Sequence, residues 1–109
     1  MNTLRFAFVT IIAFSIASVG HAGDWQKPWN TEKAGSAALC AKTFEHYQLQ
    51  AVCMENEKDG YEKMQGNFGL PSDVAKKAKA RCSRTFGLFQ LQAVCMENEK
   101  DGYQKMKNY

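Results

Sequence analysis

Hydrophobic side chains in residues 47–64 recur with the spacing of an amphipathic helix, and the same pattern returns 42 residues later. At about 100° per residue they form two stripes. The first stripe holds Leu49, Val52, Cys53, Gly60 and Met64. The second holds Tyr47, Met54 and Tyr61, with counterparts Phe89, Met96 and Tyr103. Because two stripes need two packing partners, we expect the first to face the preceding helix and the second to face the other copy.

A further helical pattern precedes each of these segments, at residues 33–44 and 73–86. The second helices are predicted at residues 48–65 and 89–107, and the glycines and proline of residues 66–71 predict a linker. No stretch alternates with a period of two over the length of a strand, so we expect no sheet. The pattern predicts an all-α domain over residues 23–109. It comprises two helical hairpins, at about 33–66 and 73–108, packed as four helices.

The two second helices are nearly identical in sequence. Residues 48–64 read QLQAVCMENEKDGYEKM and residues 90–106 read QLQAVCMENEKDGYQKM, so 16 of 17 positions match. Such a period indicates a repeated supersecondary unit. Packing does not require exposed positions to match, which leaves two interpretations open. Either a recent duplication copied the whole segment, or both helices present one partner-binding surface, formed by Glu55, Lys58, Asp59, Glu97, Lys100 and Asp101.

Gly60 interrupts a good helical sequence, where a glycine costs about 1 kcal/mol relative to alanine. It lies on the same stripe as Cys53. We therefore expect the preceding helix of its own hairpin to approach closely there. The alternative is that Asp59 and Gly60 end the helix.

The N-terminal 22 residues have the composition of a secretory signal peptide. Residues 6–17 form a short apolar run after Arg5, and small residues, Gly20 and Ala22, occupy the −3 and −1 positions of a cleavage site. The run is too short to span a bilayer. We expect cleavage after Ala22 and a periplasmic or secreted protein without a membrane span; an uncleaved anchor is the alternative.

Four cysteines in a small exported chain predict two disulfides. Three pairings are possible, and the repeat favours Cys40–Cys53 with Cys82–Cys95, one in each hairpin. A zinc site is the alternative, but 12 residues separate the cysteines of each pair. Structural zinc sites space theirs by two to four residues. We expect no metal at these cysteines.

Charge and motifs exclude several classes of function. The net charge of +3 falls to +2 without the first 22 residues, which is too balanced to indicate binding to nucleic acid or to an anionic membrane. No catalytic motif occurs, and His46, the one histidine after residue 22, has Leu88 as its counterpart. We therefore predict no catalytic residue and no cofactor. Trp25 and Trp29 are expected to close one end of the bundle; a grip on a glycan or partner is the alternative.

The ENEKDG segments offer a second hypothesis, because acids precede Gly60 and Gly102 as they do in an EF-hand loop. Position 12 of such a loop would fall on Gly66 or Asn108, and neither supplies a bidentate carboxylate. Binding of calcium or another metal is thus the alternative function. A small carboxylate-based enzyme is the remote one.

Each hairpin also carries a short motif: a cysteine, an aromatic residue near the turn, Tyr/Phe-x-x-Gln and a second cysteine. The two copies are Cys40, Phe44, Tyr47, Gln50, Cys53 and Cys82, Phe86, Phe89, Gln92, Cys95. The chain resembles small exported bacterial proteins built of cysteine-stapled helical hairpins, although the aromatic near the turn is often tryptophan there. The resemblance implies the fold and export, and no activity. Our leading hypothesis is a non-enzymatic binding module for a protein partner in the cell envelope, of inhibitor or immunity type.

Overall fold

The computed structural model describes residues 23–109, so the predicted signal peptide and its cleavage site lie outside the described residues. Four helices follow one another: α1 (Trp29–Thr43), α2 (Tyr47–Met64), α3 (Ser72–Thr85) and α4 (Phe89–Met106). Residues 23–109 contain no strand. The predicted all-α fold is confirmed.

The two repeated helices, α2 and α4, form the middle of the molecule. They pack against each other, and each also packs against the first helix of its own hairpin, α1 on α2 and α3 on α4. The spatial order is therefore α1, α2, α4, α3. Two tandem hairpins packed as one four-helix domain were predicted, and this arrangement is confirmed.

Prolines set the beginning of both first helices. The φ angles of Pro28 and Pro71 are −62° and −57°, values that already suit a helix, and each carbonyl accepts a hydrogen bond from the first turn that follows. α1 consequently begins at Trp29, four residues before the predicted start. The other helices begin within one residue of their predicted positions.

The turn of each hairpin is closed by the same hydrogen bonds. The backbone N–H groups of Phe44 and Phe86 donate to the carbonyls of Cys40 and Cys82, both at 3.0 Å. Six residues after each phenylalanine, the side-chain amide of Gln50 or Gln92 donates back to its carbonyl, both at 2.8 Å. The spacing that both copies of the motif share therefore places its residues to form the hydrogen bonds of one turn.

Disulfides join Cys40 to Cys53 and Cys82 to Cys95, with Cα–Cα distances of 5.8 and 5.7 Å. The pairing favoured by the repeat is confirmed. Each bond closes a loop of about 14 residues, which stabilises a fold by roughly 3 kcal/mol in the chain-entropy account.

The apolar core lies among α2, α3, α4 and the segment joining the hairpins. Its buried members are Met64, Leu70, Ala75, Ala78, Cys82 and Met96. α1 contributes little, since its buried residues are Ser36 and Cys40 alone. Trp25 packs on this core, and the Trp29 ring lies 5.5 Å from Tyr61 and 6.2 Å from Phe89 between centroids. The tryptophans thus cover the contact between the hairpins.

The second apolar stripe packs against the other hairpin only in part: the Tyr61 ring contacts Phe89 as predicted, but Tyr47 does not take part. Phe89 and Met96 are fully buried, whereas Tyr47 is 86% exposed. The prediction that Tyr47 packs against the other hairpin is wrong. The hairpins meet through the C-terminal half of α2 and the N-terminal half of α4, so the start of α2 remains outside the contact.

Candidate functional site

The two repeated helices approach each other closely at Gly60. A Cβ added there would lie 2.6 Å from both the backbone nitrogen of Gln90 and the carbonyl carbon of Phe89. The expected close approach exists, but its partner is α4 and not α1, so that part of the prediction is wrong. The alternative that the helix ends at Gly60 is also wrong, because α2 continues to Met64.

One turn before Gly60, the carboxylate of Glu57 is fully buried and caps the start of α4. It accepts hydrogen bonds from the backbone N–H groups of Phe89 and Gln90, both at 3.0 Å. The Ser36 hydroxyl and the Gln90 side-chain amide donate to it at 2.7 and 2.9 Å. The first N–H groups of a helix lack partners within the helix and carry partial positive charge. A carboxylate there supplies both a hydrogen-bond acceptor and the opposite charge.

Sequence reasoning missed this cap and treated Glu57 only as a candidate calcium ligand. A signal was present, because α4 begins after Leu88, whose side chain cannot accept a hydrogen bond. A buried helix start without its own cap needs an acceptor from another element. The sequence did not identify that element, since Glu57 and Glu99 occupy identical positions in the repeat.

The counterparts of Gly60 and Glu57 have different surroundings. A Cβ added at Gly102 would meet nothing within 4 Å in the described part of the chain. Glu99 pairs with Arg81 at 2.6 Å between Nη2 and Oε1, and its side chain is partly exposed. α2 and α4 therefore contact each other through different faces, although their sequences are nearly identical.

Lys79 is a second buried charged residue. Its Nζ lies 4.2 Å from the centre of the Trp25 ring, and burial lowers the pKa of the ammonium below its usual value of 10.5. The aromatic face partly replaces the water that the ammonium loses. Its repeat counterpart is Ala37, so this contact belongs to the second hairpin alone.

A groove of about 190 Å³ runs between α2 and α4 beside Gly60. Its lining comprises Asn56, Asp59, Gly60, Lys63, Gln90, Ala93, Val94 and Glu97. Asp59 and Lys63 form an ion pair at 3.2 Å, and both side chains are more than half exposed. Asp59 belongs to one copy of the repeat and Glu97 to the other, so the fold places acids from both copies on one groove.

The six residues predicted to bind a partner are thus distributed unequally. Asp59 and Glu97 line the groove, whereas Glu55, Lys58 and Asp101 are exposed outside its lining. Lys100 is partly buried, with its Nζ 3.7 Å from the place where a Cβ of Gly69 would stand. His46 is exposed at the N-cap of α2.

The ENEKDG segment is helical in both copies, so its acids do not form a calcium loop. Within residues 23–109, no three His, Cys, Asp or Glu side chains come together as metal ligands. Over the same residues, none of the helices combines the length and the apolar character needed to cross a membrane.

Comparison with known proteins adds no assignment. No protein family, curated protein or solved structure matches the chain.

Proposed function

We propose that the chain is a non-enzymatic binding module, exported to the periplasm or secreted, that takes a protein partner of the cell envelope in the groove between α2 and α4. The observation that carries the proposal is the placement of Asp59 and Glu97 on that groove. Export is supported by the signal-peptide pattern of residues 1–22 and by the two disulfides, which are typical of oxidising compartments. The resemblance to exported hairpin proteins points the same way.

The groove combines acidic, amide and apolar groups with one basic side chain, that of Lys63, which forms an exposed ion pair with Asp59. The carboxylates of Asp59 and Glu97 suit a lysine or arginine of the partner, and the amide of Asn56 offers hydrogen bonds beside them. Val94, which is 55% exposed, offers apolar contact. A partner segment with a basic side chain next to a small apolar one has the matching chemistry. An inhibitor or immunity-type protein would cover such a segment.

Three features support binding rather than catalysis. The acids of the groove are in contact with water, whereas catalytic carboxylates usually act in sites that exclude it. The buried carboxylate of Glu57 accepts its hydrogen bonds from groups of the chain itself. Disulfides in both hairpins also preorganise the surface, which lowers the entropy lost on binding.

The test compares two double variants with the same change of charge. Asp59→Lys with Glu97→Lys alters the groove, and Glu55→Lys with Asp101→Lys alters the repeat counterparts outside it. A photo-crosslinking residue at Val94 would identify the partner in an envelope fraction, and calorimetry would then measure binding of the purified partner. We expect the groove variant to bind at least about tenfold more weakly and the control variant to bind as the wild type does. Equal affinities for both folded variants would contradict the proposal.

A further inference from the structure

The first hairpin holds the start of α4 in a set of four residues that we call the first seat: Ser36, Glu57, Gly60 and Tyr61. Glu57 accepts hydrogen bonds from Phe89 and Gln90, and Gly60 leaves room for their backbone. The Tyr61 ring packs edge-on against the Phe89 ring at 5.2 Å between centroids. An aromatic side chain and a helix N-terminus are therefore bound together.

The second hairpin carries the repeat counterparts of these residues, and we call the site that they line the second seat. It is a cavity of about 240 Å³ lined by Leu70, Val74, Ala78, Arg81, Glu99, Gly102 and Tyr103. At an offset of 42 residues, Ala78, Glu99, Gly102 and Tyr103 correspond to the four residues of the first seat. Nothing in the described part of the chain lies within 4 Å of a Cβ added at Gly102. The second seat is therefore open where the first is filled.

A different residue holds the carboxylate in the second seat. In the first seat the Ser36 hydroxyl donates to Oε1 of Glu57 at 2.7 Å. Ala78 replaces that serine, and Nη2 of Arg81 donates to Oε1 of Glu99 at 2.6 Å. Each seat thus keeps a carboxylate beside its glycine, with one donor from the neighbouring helix.

The element that would fit the second seat is also present and exposed. Tyr47 and Gln48 begin α2 and correspond to Phe89 and Gln90, the residues held by the first seat. Tyr47 is 86% exposed, and His46 at the N-cap makes no side-chain hydrogen bond to the start of α2. The positive end of the α2 dipole therefore lacks the carboxylate that α4 obtains from Glu57.

We infer that Tyr47 and Gln48 of one molecule bind in the second seat of another copy of this chain. Their repeat counterparts, Phe89 and Gln90, already make this contact between the hairpins of one chain, which identifies the occupant. Because the two surfaces differ, the contact is head-to-tail, and each molecule keeps one free surface of each kind. Copies would therefore join successively into open chains or rings. The contact between copies lacks the linker that favours docking within one chain, so association requires a high protein concentration.

The experiment uses the full chain expressed for export, with the mass of the purified product recorded. Sedimentation equilibrium over a wide range of concentration would compare the wild type with Gly102→Arg, which fills the second seat, and Tyr47→Asp, which removes the inserted aromatic ring. Gln104→Arg is the matched control, because Gln104 is exposed on α4 outside the lining of the seat. None of these changes alters the groove residues Asp59 and Glu97, so the result is independent of the proposed partner.

We expect the wild type and Gln104→Arg to form species larger than dimers as concentration rises. Each of the variants Gly102→Arg and Tyr47→Asp, studied by itself, should self-associate at least about tenfold more weakly than the wild type. Mixed together they should form a heterodimer that grows no further, because one supplies the free α2 start and the other the free seat. A wild type that stays monomeric throughout, or variants that associate as it does, would overturn the inference.

Discussion

Glu57 and Glu99 are the same residue of the repeat, and they have different roles. Glu57 is buried and accepts four hydrogen bonds, two of them from the start of α4. Glu99 is partly exposed and pairs with Arg81. A buried acceptor that loses its bonds costs far more than an exposed ion pair, so the two positions should respond very differently to one substitution.

We predict that Glu57→Gln lowers the free energy of unfolding by roughly 3 kcal/mol, because an amide cannot accept all four bonds and turns a donor toward N–H groups. Chemical denaturation of the purified protein measures the change. Glu99→Gln is the matched control and should cost less than about 1 kcal/mol. Similar losses at the two positions would show that the cap at Glu57 contributes little.

The paired glycines provide a second comparison. Gly60→Ala should lower the free energy of unfolding by about 2 kcal/mol, since the added methyl group meets the α4 backbone, which cannot move aside cheaply. Gly102→Ala meets nothing in the described residues and should raise it by up to about 1 kcal/mol through helix propensity. Thermal unfolding at low protein concentration separates the two effects. Shifts of the same sign would contradict this assignment.

Lys79 gives a prediction for pH. Because burial lowers its pKa below 10.5 in the folded state, the folded protein releases this proton before the unfolded chain does. Its contribution to stability therefore rises as pH increases through the folded pKa toward 10.5. The difference in unfolding free energy between the wild type and Lys79→Met should shift in favour of the wild type from neutral pH to pH 10.5. A difference that stays constant with pH would contradict the burial of the charged group.

At the scale of helices, α1 and α3 are attached in different ways. α3 buries Ala75, Ala78, Lys79 and Cys82, whereas α1 buries Ser36 and Cys40 alone. The attachment of α1 to the rest of the fold therefore depends more on the Cys40–Cys53 bond than the attachment of α3 depends on Cys82–Cys95.

Removing either disulfide by paired Cys→Ala changes should lower global stability by roughly 3 kcal/mol, because the two loops have equal length. The protection of backbone amides from hydrogen exchange should differ between α1 and α3. Without Cys40–Cys53, the amides of α1 should exchange hydrogen much faster, while without Cys82–Cys95 those of α3 should retain most of their protection. Hydrogen exchange followed by mass spectrometry measures both, and equal loss of protection in α1 and α3 would contradict the difference in attachment.

The helices and the disulfides could be predicted because they depend on nearby residues. Apolar spacing located α2 and α4, and the repeat selected Cys40–Cys53 over the other pairings. The docking of the hairpins could not be predicted in the same way. Tyr47 and Phe89 occupy equivalent positions in nearly identical segments, and only the packing between hairpins buries one and exposes the other.

For the whole molecule, the contact between hairpins turns one repeated sequence into several distinct surfaces. The exposed acids were predicted as a surface presented twice, but Asp59 and Glu97 line one groove while Asp101 and Glu55 lie outside it. The two acids belong to different copies of the repeat, and only the packing of the hairpins brings them to one groove. The groove between α2 and α4 therefore required the docked structure.

The neighbouring pairing of the disulfides has a consequence for how the chain matures. If the chain is exported as proposed, its cysteines reach an oxidising compartment in the order Cys40, Cys53, Cys82, Cys95, and each native bond joins two that are consecutive in this order and 13 residues apart. The wrong pair Cys53–Cys82 spans 29 residues, so its loop costs more entropy to close. In that case, oxidation during translocation yields the native bonds in order of arrival. We expect an oxidase to suffice, without an isomerase to reshuffle the bonds.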